Sequence, residues 1–122
     1  MKTAVPAKVA DEMGKLLNDY HAREHITVDE IIEFHHRFES IHPFQDGNGR
    51  DGRIIMFKEC LQHDIMPFII NEEHKLFYYR GLKEFDAEKG YLTDTCLSAQ
   101  DQYALTVGYF FPELLKDCPE LT

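Results

Sequence analysis

Residues 27–57, TVDEIIEFHHRFESIHPFQDGNGRDGRIIMF, read as helix, loop, helix. Thr27 and Glu30 have the spacing of a capping box and Ile26 can staple Ile31, so a helix is expected to begin at Val28. Its inner face is Ile31, Phe34, Phe38 and Ile41. A residue before proline is pushed out of the α region, so His42, next to Pro43, should stand at the helix mouth. The stretch HPFQDGNGRDGR at 42–53 then has no apolar periodicity and runs straight into IIMF, which makes it a loop feeding a helix.

The rest of the chain extends this pattern. Val9, Met13, Leu16, Leu17 and Tyr20 recur at helical steps after Pro6, predicting a helix over 6–21. Between Arg50 and His63 the apolar residues cover most of the circumference, which predicts a central helix packed on several sides. Two further helices are expected over 71–85 and 92–115, the last kinked near Gly108 and ended near Pro112. No strand pairing emerges, and the fold class is all-α.

A chain of 122 residues with 43% apolar and 12% aromatic residues suits one domain over 1–122. A formal charge of −9 argues against charge-driven binding to nucleic acid or an anionic membrane, so any anion site must be local. Cys60, Cys96 and Cys118 lack paired spacing and suit reduced thiols in a cytoplasmic protein. The N-terminus has no signal-peptide core and no run reaches membrane-spanning length.

Gly47 and Gly49 allow backbone N–H groups to converge on a small concavity at a helix N-terminus, which favours anions. Arg50 and Arg53 fall on one face of that first turn, where positive charge opposes the helix dipole at a cost of a few tenths to ~1 kcal/mol each. Gly52 in the same turn costs roughly 1 kcal/mol relative to Ala. A polyphosphate approaching the backbone would offset both. His42 is suited to proton uptake near neutral pH and Asp46 to holding Mg²⁺ that also carries substrate phosphates. Taken singly, His42 is a helix-end residue, Asp46 a turn former, the glycine pair a tight turn, and the arginines surface charges paired with Asp51 or Glu59. Together they are the parts that phosphate-transfer chemistry needs. A calcium loop beginning at Asp46 fails on register, since Phe57 stands where the closing Glu is required.

HPFQDGNGRDGR resembles the signature of Fic-domain proteins, H-P-F-x-[DE]-G-N-G-R-x-x-R, at every defined position. The flanking TVDEIIEFHHRFESI, IIMFKECLQHDIMPFII and the tyrosine pair of LFYYRGL fit the same family. The resemblance implies a bundle of α-helices in which the motif joins two central helices, and transfer of AMP from ATP to a Ser, Thr or Tyr hydroxyl of a target protein. It implies that His42 deprotonates the attacking hydroxyl, Asp46 holds Mg²⁺ and Gly47, Asn48 and Gly49 form the anion hole. Arg50 steadies the phosphates, Arg53 meets the γ-phosphate, and Phe44 anchors the core. Tyr78 and Tyr79 match a pair near the adenine, although core packing explains such a pair nearly as well.

Doc-type relatives, which act as protein kinases, carry Lys at the position of Gly49 and usually Ala at that of Gly47, so AMP transfer is favoured. A non-catalytic nucleotide-binding module is the other alternative. Many Fic proteins carry an inhibitory [ST]-x-x-x-E-[GN] helix, and no Ser or Thr here has Glu four residues on. The brake is therefore absent, in a missing part, or on a separate antitoxin-like partner. MKTAVPAK is shorter than the family's flap hairpin, which implies a chain truncated at its N-terminus.

Overall fold

Thr27 sets the start of the element around which the others pack: its Oγ1 accepts a hydrogen bond from the Glu30 N–H at 3.4 Å, and α2 follows as Val28–Ile41. The computed structural model describes residues 6–42 and 47–112. Within them a 3-10 turn Pro6–Lys8 leads into α1, Val9–His21, and α2 is followed by α3, Asn48–Gln62, α4, Lys75–Glu84, and α5, Gly90–Phe110. No strand occurs among the described residues, and the fold is all-α.

The centre of the bundle is α2, which packs against α1, α3 and α5. Its inner face is buried as expected at Ile31, Phe34, Phe38 and Ile41, and burial extends round to Ile32, His35, His36 and Glu39. Helix α3 touches more than one neighbour without being enclosed: it packs most closely on α2, its Phe57 ring meets Tyr103 of α5 edge-on at 5.9 Å and its Arg53 lies over the Tyr78 ring of α4 at 5.8 Å, while Ile54 is 60% and Leu61 56% exposed. Apolar residues all round a helix do not all become buried when its neighbours leave part of the circumference to solvent. Helices α4 and α5 form the other tight pair, where Gly81 lets the Leu92 backbone approach so closely that a Cβ would lie 2.6 Å from its Cα. Helix α4 begins at Lys75, later than expected, and α5 runs through Gly108 as one helix and stops at Phe110, two residues before Pro112.

Two reversals place the site. At the end of α2, His42 takes the left-handed conformation, φ 56°, with its N–H donating to the Phe38 carbonyl at 3.1 Å. At the end of α3, Asp64 does the same, φ 58°. The Ile65 N–H returns to the Cys60 carbonyl at 2.9 Å and the Asp64 N–H to Leu61 at 3.4 Å, closing a Schellman motif. That turn brings Phe68, Ile69 and Ile70 back beside the first turns of α3.

Candidate active site

Gly47 sits at the N-cap of α3 with φ 74°, a conformation that a side chain resists, and its carbonyl accepts the Asp51 N–H at 2.8 Å. The next two glycine-associated contacts define the site. A Cβ on Gly47 would stand 2.6 Å from Arg50 Nη2, and one on Gly49 would stand 3.1 Å from Arg53 Nη1. Both guanidinium groups therefore lie over the glycine backbone, in space that any other residue would fill. The positive end of the α3 dipole and two arginine heads lie together at the start of α3, a setting that favours an anion. Arg50 is largely exposed, with its Nε 3.5 Å from Asp51 Oδ1, a surface pair of small energetic weight.

Asn48, the first residue of α3, is buried at 3% exposure, and His42 is exposed at the mouth of α2. Asp46 and Phe44 lie outside the described residues. Among the described residues no group of three or more His, Cys, Asp and Glu could hold a metal. Of the tyrosine pair, Tyr78 is a core residue at 1% exposure, whereas Tyr79 is 51% exposed, with ring centroids 5.3 Å apart. Only Tyr79 presents a ring to solvent that a ligand can stack on.

From the arginine heads a groove of about 390 Å³ extends between α3 and the returning chain, lined by Ile54, Phe57, Phe68, Ile69 and Ile70. This apolar wall was not foreseen, because its far side comes from a segment with no motif, brought there by the Asp64 turn.

Gly52 corrects an expectation as well. Its missing side chain makes room for α2, not for a ligand: a Cβ would overlap Glu39 Oε1 and lie 3.2 Å from both His35 Cε1 and Phe38 Cδ1. Beneath the first turn of α3 this close approach creates a buried polar cluster that periodicity did not single out. His35 Nδ1 lies 3.2 Å from the Gly52 carbonyl and its Nε2 2.5 Å from Tyr78 Oη. Burial lowers the His35 pKa to about 4, against the hydrogen bond to Gly52, with the Arg53 and His36 charges lowering it further. Burial raises Glu39 to about 7, opposed by Arg53. Its Oε1 has no hydrogen-bond partner among the described residues.

The family profile of the Fic/DOC family matches residues 1–60, which include α2, the loop and most of α3. The chain is 40% identical over 49 residues, 40% of its length, to the protein adenylyltransferase Fic of Aedes aegypti, and 34% identical over 77 residues, 63% of its length, to that of Drosophila ananassae. It spans 10% and 16% of the length of these relatives. An all-α bundle, a glycine turn into α3 under two arginines, and these matches define the class. The chain belongs to the Fic/DOC family.

Proposed function

We propose that residues 1–122 form part of a single Fic domain whose activity is protein adenylylation, the transfer of AMP from Mg²⁺–ATP to a Ser, Thr or Tyr hydroxyl of another protein. The observation that carries this reading is the pair of guanidinium groups folded over Gly47 and Gly49 at the N-terminus of α3. A nucleoside triphosphate has the charge to satisfy them, and the apolar groove and Tyr79 offer surfaces to its less polar parts.

In this reading Gly47, Asn48 and Gly49 cradle the phosphate chain, Arg50 steadies it and Arg53 takes the γ-phosphate. His42, held at the helix mouth by its left-handed turn, accepts the proton of the target hydroxyl. The hydroxyl oxygen then attacks the α-phosphorus in line, the bond to the bridging oxygen breaks and pyrophosphate leaves. One carboxylate with substrate phosphates suits Mg²⁺, so Asp46 is assigned as its protein ligand, and the ion when bound neutralises charge on the leaving group. No described helix is long and apolar enough to cross a membrane, and the buried free thiols of Cys60 and Cys96 suit a reducing cytoplasm. An antitoxin-like partner remains part of the proposal as the source of an inhibitory Glu.

The test is incubation with a cell lysate and ATP labelled separately at the α- and γ-phosphates. Protein-bound label from the α position alone is expected. Label from the γ position alone would establish phosphoryl transfer instead, and nucleotide binding with neither label would reduce the domain to a binding module.

A further inference from the structure

Arg53 is held from behind by groups that the motif does not contain. Its guanidinium carbon lies 5.8 Å from the centroid of the Tyr78 ring. The Tyr78 hydroxyl meets His35 Nε2, and His35 Nδ1 meets the Gly52 carbonyl. A carbonyl oxygen only accepts, so Nδ1 carries the proton. The imidazole is 1% exposed, and burial disfavours its charged form, so Nε2 has a lone pair and the Tyr78 O–H donates to it, while Glu39 Oε1 lies beyond hydrogen-bond reach of the same nitrogen at 4.0 Å. The phenol oxygen is then left with lone pairs only, and the nearest cation is Arg53, whose hydrogen bonding and charge act on Tyr78 against the effect of burial. The chain of groups starts at Gly52 and returns to its neighbour Arg53, passing through α2 and α4.

We infer that His35 and Tyr78 are positioning residues for Arg53, fixing the guanidinium at the mouth of the site through one defined tautomer. The inference rests on the reading of Arg53 as a phosphate-binding residue. A free arginine loses rotamer freedom when it grips a phosphate, and one already aligned by a phenol oxygen loses less. Packing alone does not call for this arrangement, since Phe at 78 would fill nearly the same volume without a buried hydroxyl to satisfy.

Affinities of the 122-residue chain for ATP and ADP, both with Mg²⁺, test it in the wild type, Tyr78→Phe, Arg53→Ala and the double variant. Tyr78→Phe is expected to weaken ATP roughly three- to tenfold and ADP less than twofold, and the double variant to match Arg53→Ala. Equal weakening of both nucleotides, or additive losses in the double variant, would make Tyr78 a merely structural residue and overturn the inference. If Arg53→Ala leaves the ratio of ATP to ADP affinity unchanged while the relay is intact, the phosphate reading of Arg53 fails and the inference falls with it. Nitrogen NMR of the wild type needs no variant to fold: His35 should show a protonated Nδ1 and a bare Nε2 from pH 6 to 8, and an Nε2–H or charged ring overturns the relay.

Discussion

Replacing Glu39 by Gln should stabilise the protein at neutral and alkaline pH while changing little in acid. Glu39 is 6% exposed, wedged between α2 and the Gly52 backbone, with one oxygen lacking a hydrogen-bond partner among the described residues. Burial raises its pKa from 4.5 to about 7. The folded state therefore holds a proton that the unfolded chain has released, and stability present below pH 4.5 is lost as the pH rises through about 7. At about 1.36 kcal/mol per pH unit, the loss reaches about 3 kcal/mol by pH 8, or roughly 10 °C in melting temperature. His35, lowered from 6.5 to about 4, acts with the opposite sign: its contribution is complete above 6.5 and fades as the pH falls through 4. His35 is present in both proteins, but its Nε2 lies 4.0 Å from Glu39 Oε1, so the difference between wild type and Glu39→Gln reads the carboxyl together with its coupling to His35. Chemical or thermal unfolding of both at pH 5, 6, 7 and 8 should give curves that separate progressively. Parallel curves, or a variant less stable than wild type at pH 8, would refute the reasoning and show the carboxylate ionised and held by Arg53.

Gly81→Ala should destabilise by about 3 kcal/mol or more, because its Cβ meets the Leu92 backbone, which cannot yield without separating α4 from α5; urea unfolding measures it. Gly52→Ala should cost about 1–2 kcal/mol without any nucleotide, since the obstructing atoms belong to α2 side chains that can rotate; a cost seen only as weaker ATP binding would restore a ligand as the reason for this glycine. His42→Ala should lower AMP transfer by ~10²–10⁴-fold with nucleotide affinity nearly unchanged, read from single-turnover labelling beside direct binding.

What the sequence determined by itself was local. The capping of α2 at Thr27, its end before Pro43, the glycine turn and the arginines on one helical face follow from interactions within a few residues, and such interactions need no knowledge of neighbours. The position of Gly52 was legible, but its reason was not: a missing Cβ looks the same whether a phosphate or another helix approaches, and only the crossing of α2 and α3 brings Glu39, His35 and Phe38 against it. Tyr78 and Tyr79 are equivalent in sequence, and the facing of α4 toward the core separates them into a buried hydroxyl and an exposed ring. The same holds for α3, whose apolar circumference implied enclosure while tertiary packing leaves Ile54 and Leu61 exposed. Burial, partner choice and the pKa values that follow from them depend on groups distant along the chain, which local chemistry cannot specify.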